Sequence, residues 1–350
     1  MTVRRLILSA VGLAAAASAA GQAVSPIEPS DSPRRDRQPQ AQQQAQPQAQ
    51  PGDPAQPSPA DGPRIPRARP ITVSVDLGAY YDAVGEGDGA VGEVRTLRLP
   101  ASATIQIPLN QRNFFSFSVD QTSSFYDFEN FTGFSNFAPQ DPLDYGLESN
   151  VGVSLLHIYD QKWAFFGSIS AGFAGELGAD FQDGLTYGGN ASARYQLNQD
   201  VAIGLGVTFR TRIEEDPFVF PAPSLDVQAT DYTSFHLGVV DGGPGAPTIG
   251  LRVENDAFED VTLGAFFGVR FHQFRLAEDN DIASAGILED FILPLGGFAR
   301  FELSENVDLT ATASFIPHRE LKLQNSNGVD INDIELHPSA SIGVGVEIAI

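Results

Sequence analysis

From Leu185 to Ile213 the chain alternates apolar and polar residues through two stretches of thirteen, separated only by Asn198-Gln199-Asp200. In the first, Leu185, Tyr187, Gly189, Ala191, Ala193, Tyr195 and Leu197 share one face, and Thr186, Asn190, Ser192, Arg194 and Gln196 lie on the other. Val201, Ile203, Leu205, Val207, Phe209, Thr211 and Ile213 resume the pattern after the turn. Side chains on a strand point to opposite faces at period two, so the segment predicts a long hairpin, apolar on one side and polar on the other. Strands in soluble sheets usually run about 5–6 residues. At roughly 3.4 Å per residue and a tilt of about 40°, thirteen residues rise roughly 34 Å, enough to cross an apolar band of about 25 Å. The pattern predicts a membrane-spanning antiparallel β-barrel.

The same text continues from Ile71 to the end of the chain. Alternating runs begin at Ile71, Leu97, Phe115, Val151 and Trp163, before the hairpin. Three shorter runs, Leu225 to Ala229, Phe235 to Val239 and Ile249 to Val253, follow it. Long ones return at Val261, Phe291, Val307 and Ile342. The count is about fourteen, or twelve if the weak middle folds differently, and no stretch has the period of an amphipathic helix. Connections alternate in length. The short ones contain Asn110 to Asn113, Asp160 to Lys162, Asn198 to Asp200 and Ser304 to Asn306. The long ones are Asp82 to Gly92, Tyr126 to Tyr145, Glu214 to Ala222, Ala277 to Gly286 and Pro317 to Glu335. Up-and-down barrels of outer membranes have short periplasmic turns and long external loops, and this rhythm puts both ends of the barrel on the short-turn side.

Ahead of the barrel, Arg4 and Arg5, the apolar stretch Leu6 to Ala17 and the small residues Ala17-Ser18-Ala19 have the order of a cleaved secretory signal, assigned to residues 1–23. Its apolar core is shorter than the roughly 20 residues a membrane helix needs. Residues 24–70 are rich in Pro, Gln and Ala, with too little apolar surface to offset chain entropy, and read as a disordered periplasmic linker. Its arginines, Arg34, Arg35, Arg37, Arg64, Arg67 and Arg69, make it basic, which suits contact with the cell wall or simple spacing. Residues 71–350 are the barrel. The chain has no cysteine, so neither disulfides nor a lipidated cysteine contributes.

Net charge is −23, which argues against nucleic acid as a partner. By parity Arg194, Arg210, Arg212, Arg252, Arg270 and Arg300 fall on the polar faces with Glu254, Glu302, Asp308 and Glu347. A charge on the lipid side at mid-depth costs about 2–4 kcal/mol, so these residues are expected to face the lumen. Oppositely charged rows would pair there, either as a selective constriction or as a network that plugs a narrow barrel. Paired aromatics at strand ends (Tyr80 and Tyr81, Phe114 and Phe115, Phe125 and Tyr126, Trp163 and Phe165) suit interfacial girdles. The loop carrying Phe128, Phe131, Phe134 and Phe137 is too aromatic for solvent filler and is expected to fold inward or to pack on the rim. The outer loops are acidic without calcium-loop spacing, the histidines lack zinc-ligand spacing, and no catalytic set stands out, so no cofactor, metal or enzyme activity is expected.

Over residues 71 to 350 the chain resembles bacterial outer-membrane β-barrel proteins, on its signal, its strand rhythm and its terminal strand Ser341 to Ile350. Such families end in an alternating apolar strand with a terminal aromatic, which the barrel-assembly machinery recognises; here Ile350 stands in place of the aromatic. The resemblance implies an outer-membrane location, lipid and the assembly machinery as partners, and a passive small-solute pore or a structural role. Two alternatives stay open: a surface adhesion protein displaying acidic loops, and a secreted soluble β-sandwich.

Overall fold

The computed structural model describes residues 70–87, 92–134, 141–239, 249–258 and 260–350. The expected signal and all of the expected linker but Pro70 lie outside them, as does Phe137. Fifteen strands occur among the described residues: β1 Thr72–Glu86, β2 Glu93–Pro108, β3 Asn113–Glu129, β4 Tyr145–Ile158, β5 Trp163–Glu176, β6 Leu185–Gln196, β7 Val201–Arg212, β8 Glu215–Gln228, β9 Thr233–Val239, β10 Ile249–Phe258, β11 Val261–Arg275, β12 Ile287–Ser304, β13 Val307–Gln324, β14 Asp330–Leu336 and β15 Ser339–Ala349. Strands β1 to β13 pair antiparallel with their sequence neighbours. Strand β15 pairs with β13 on one edge and β1 on the other, closing a ring of fourteen. Strand β14 ladders only with β13 and stands outside the ring, as the return arm of a hairpin at the long-loop end.

The alternation that predicted the strands also sorts their faces. Leu77, Val151, Ile169, Leu205, Phe267 and Ile342 are exposed, from six strands spread around the ring, and Ile169 leaves 67 % of its surface uncovered. Water would penalise so continuous an apolar exterior, whereas acyl chains cover it. The inner face at mid-height carries small residues such as Ser118, Gly152, Ser170, Gly188, Gly206 and Gly264. This is a transmembrane antiparallel barrel with no helix among the described residues.

One device sets the short turns. The Asn110 side-chain oxygen accepts from the amides of Arg112 and Asn113, at 2.9 and 3.0 Å. Asp160 accepts from Lys162 and Trp163, and Asn198 from Asp200 and Val201, in the same way. An Asx side chain in this position mimics a backbone turn and fixes the register of each hairpin. The amide donors hold the Asp160 carboxyl below the usual carboxylate range.

Four expected loops are wholly or partly strand instead. Glu214 to Ala222 is a tight turn at Ile213-Glu214 followed by β8, which runs fourteen residues where only Leu225 to Ala229 was expected. Prolines at 217, 221 and 223 hid it, because proline removes ladder donors. Pro317 to Glu335 is the upper part of β13, a turn, and β14. Strands β1 and β3 run on to Glu86 and Glu129, beyond the expected loop starts at Asp82 and Tyr126. The girdle assignment also needs correction. Tyr80, Phe114 and Tyr126 are buried and face inward, while their sequence neighbours Tyr81 and Phe125 face out, since consecutive residues on a strand cannot share a face. Trp163 and Phe165, two residues apart, both face out, with Trp163 4.6 Å from Tyr195 at the short-turn rim.

Candidate functional site

The lumen is crossed by the barrel's own wall. Among the described residues β10 begins at Ile249, opposite Val269, and β11 has no β10 partner from Arg270 upward, although its ladder to β12 continues to Arg275. The freed edge meets β5, where Arg275 pairs in parallel with Gly175. In a ring of fourteen, β5 and β11 stand six places apart, nearly opposite. Two glycines admit the approach. A Cβ on Gly146 of β4 would lie 2.5 Å from the Phe274 ring, and one on Gly175 would lie 3.3 Å from the Arg275 carbonyl oxygen. His272 Nδ1 reaches Glu148 of β4 at 2.6 Å, and the Ala277 amide donates to Glu176 at 2.7 Å.

The bent upper part of β11, β12 and β13 is a layer buried on both faces. Gln273 to Ala277 and Ile287 to Ile292 are all buried, without the alternation seen lower in the same strands. Its inner face packs Phe274, Leu288, Leu321 and Leu323 against Val94, Tyr126 and Phe128 of β2 and β3. Phe131 joins them from the β3–β4 loop, 5.1 Å from Phe128 and 5.5 Å from Phe134. The described part of the aromatic loop, as far as Phe134, therefore folds inward onto this packing, the first of its two expected arrangements.

Beside the apolar packing sits a buried ion cluster. Arg98 of β2 bonds both Asp82 of β1 and Asp290 of β12. Arg319 of β13 donates to Asp290 from Nε at 2.9 Å and from Nη2 at 2.7 Å, and also reaches Thr96 Oγ1 at 2.8 Å. The Tyr126 hydroxyl donates to Asp290 at 2.9 Å, and Arg270 donates to Asp82 at 2.9 Å. Every charged member is 3 % exposed or less. Buried charges persist only when paired and hydrogen-bonded, and here each aspartate is shared by two arginines across the lumen.

The outer face of the bent layer is covered by the β7–β8 hairpin tip. Arg212 bonds Glu289 at 2.5 Å and lies 5.5 Å over the Phe271 ring. The Ile213 amide donates to Gln273 at 3.2 Å, and Arg275 reaches Glu214 at 2.8 Å and Asp183 at 3.0 Å. At the long-loop end the barrel is thus three layers: β1 to β5, the bent β11–β13 sheet, and β6 to β8.

Two charged arcs line the lumen nearer the short turns. On one side Arg194 pairs with Asp226 at 3.1 Å, which also receives His236 at 2.9 Å. His236 lies 3.6 Å from Glu254, which pairs with Arg252 and lies 4.0 Å from Arg300. On the other side the register sets Glu302 beside Asp308, Asp308 beside Glu347, and Glu347 beside Asp76. This row is acidic throughout, where oppositely charged rows had been expected to lie side by side, and like charges directly opposite each other destabilise a sheet. The four acids sit within six residues of the short-turn strand ends, where water reaches Glu302 and Glu347.

The arginines and acids named from parity therefore divide among several places. Arg194, Arg252, Arg300 and Glu254 form one belt; Arg212 and Arg270 touch opposite faces of the partition; Glu302 and Glu347 join the acidic row. Arg210 lies on the lumen face of β7 beside Arg212, close enough to Glu148 to feel its charge. Sequence reasoning missed Asp82, Arg98, Asp290 and Arg319. Asp82 and Arg319 fall in stretches taken for loop, and Arg319, Leu321 and Leu323 share the parity of the outward row Leu309 to Phe315, coming inside only because the β12–β13 register shifts between Leu293 and Leu295.

No family model matches the chain, and no curated protein matches it. Solved structures similar to it include the P. putida toluene transporter TodX, at 7 % identity over 80 % of this chain and 90 % of that chain, with a TM-score of 0.42. A Pseudomonas aeruginosa FadL homologue is 14 % identical over 80 % and 88 % of the two chains, TM-score 0.36. The KdgM porin is 10 % identical over 79 % and 98 %, TM-score 0.30. Likeness at this level carries no residue's role across.

Proposed function

We propose that this chain is an outer-membrane channel closed at rest by its own wall. The apolar exterior sits in the bilayer, the short turns and the N-terminal segment lie on the periplasmic side, and the bent β11–β13 layer seals the outward end. Solutes pass only when the contacts of β11 with β4 and β5 release. One observation supports this above others: the pairing of Arg275 with Gly175, with Phe274 seated on Gly146, joins strands that face each other across the ring. Once the barrel is open, the acidic row at the inner mouth would favour cations, as rings of carboxylates do in cation channels. Planar-bilayer recording of the detergent-extracted barrel tests the proposal. Long silent periods with brief openings are expected, and openings should become frequent in Phe274→Ala. A steady ohmic conductance from the resting wild-type barrel would sink it.

A further inference from the structure

Cations are scarce in this barrel, and nearly all of them are spent on carboxylates. Among the described residues every Lys and Arg joins an ion pair except Arg112, Lys162 and Arg210. Arg210 faces the lumen. The other two are exposed and stand on consecutive short turns, β2–β3 and β4–β5. The remaining short turns carry acids instead: Asp200, Asp231, Asp260 and Glu305. The short-turn rim is thus divided by charge, with its free cations side by side.

The ladder brings the two turns together. The Ile158 amide donates to the Arg112 carbonyl at 2.7 Å, and Arg112 Nη1 donates to the Tyr159 carbonyl at 3.1 Å. From Tyr159 a chain of rings runs along the outer face of β4, β5 and β6. Successive centroids lie 6.4 Å apart from Tyr159 to His157, 6.5 Å from His157 to Phe165, 6.0 Å from Phe165 to Trp163, and 4.6 Å from Trp163 to Tyr195. Lys162 closes the far end, its Nζ 6.0 Å from the Tyr195 centroid. Tyr159, Trp163 and Phe165 are exposed, and His157 Nδ1 is engaged by Asn113 at 2.7 Å. Asp160 sits on the same turn, where its Oδ1 accepts from the Lys162 and Trp163 amides and its charge is felt by both cations. Two cations against one acid leave the patch a single net positive charge. Aromatic rings of this kind settle where acyl chains meet headgroups, so the two cations stand at the depth of the phosphates. The phosphate of phosphatidylcholine brings its own ammonium, whereas a lipid of net negative charge leaves the patch something to neutralise.

We infer that the aromatic band from Tyr159 to Tyr195, bracketed by Arg112 and Lys162, is a binding site for the phosphate headgroup of an anionic phospholipid in the short-turn leaflet. The inference rests on the proposed membrane setting and names the lipid that one stretch of the rim selects.

Trp163, the chain's single tryptophan, lies inside the band and reports on it without substitution. The wild-type barrel is reconstituted in mixed bilayers of phosphatidylglycerol and phosphatidylcholine, with bromine near the headgroup end of the acyl chains of one lipid or the other. Both should quench Trp163, and the relative association constant should favour phosphatidylglycerol about fivefold, the worth of one net positive charge at an anionic surface. Arg112→Gln with Lys162→Gln should bring that ratio to unity, Arg112→Lys with Lys162→Arg should keep it, and heat-modifiable migration shows that each variant is folded. Equal quenching by the two lipids in the wild type, or a preference that survives the double glutamine variant, overturns the site and leaves the membrane setting standing. If neither lipid quenches Trp163, the membrane setting itself fails.

Discussion

Gly146→Val tests whether the partition is a gate. The added Cβ would sit 2.5 Å from the Phe274 ring, where ordinary van der Waals contact begins near 3.4 Å, so ring and glycine must separate by about 1 Å or more. Phe274 has nowhere to retreat within its own layer: it is fully buried and 6.0 Å from Tyr126 in an edge-on contact. Overpacking of this kind costs about 1–3 kcal/mol. The wall should absorb none of it, since valine is favoured in strands. The cost therefore falls on the closed arrangement, together with the His272 to Glu148 contact beside it. With each 1.4 kcal/mol worth about tenfold in an equilibrium, open time should rise roughly 5- to 150-fold, provided the closed state still predominates. Single-channel recording at fixed voltage reads this directly, and heat-modifiable gel migration shows that the variant is folded. A folded Gly146→Val barrel with wild-type open probability would refute the gate.

Asp290→Asn should leave Arg98 and Arg319 short of charge in a dry site; loss of one partner of a buried pair costs about 3–5 kcal/mol, so the heat-modified gel transition should fall well below that of the wild type. An unchanged transition would mean water reaches the cluster. Glu302→Gln combined with Asp308→Asn should lower cation over anion preference, measured as a shift of reversal potential in a salt gradient, and should leave the frequency of openings alone. Asp160 gives a pH prediction with a definite sign. Its carboxyl is depressed in the folded chain, so its support for the β4–β5 turn is present above the usual carboxylate value and is lost as pH falls through the lowered one. Asp160→Asn, which keeps the acceptor, should abolish that acid dependence of amide exchange at Lys162 and Trp163.

The wall was readable because lipid on one side and small polar groups on the other impose period two over its full height. Leu185 to Ile213 shows this without interruption, and each of the fourteen expected runs corresponds to a strand of the ring. The partition was not readable, because a layer buried on both faces has no reason to alternate. Ile287-Leu288-Glu289-Asp290-Phe291-Ile292 is such a stretch, and only its last two residues fell within an expected strand. Strand β8 escaped for a different reason. Its prolines argue against a strand when read one at a time, and become compatible with one only when their common parity shows that all the lost donors lie on a single edge.

The partition's two edges are held very unequally, and that inequality separates a gate from a stopper. On one edge, β11, β12, β13 and β15 continue the ring through long ladders, and the Arg98–Asp290–Arg319 cluster ties the layer to β2. Replacing such a cluster by packed apolar groups is often neutral for stability, so its contribution is better sought in specificity. Forked guanidinium pairs fix how β12 and β13 sit against β1 and β2 far more narrowly than leucines would. On the other edge, a single bridging residue pair, one ring on a glycine, one His–Glu contact and the bonds of Ala277 and Asn280 to Glu176 join the end of β11 to β4 and β5. The weaker edge should yield first, leaving the layer to swing about the stronger one. Amide exchange should accordingly be faster at Arg275 and Gly175 than at Asp290 and Arg319, and the reverse order would show that the layer is fixed in place.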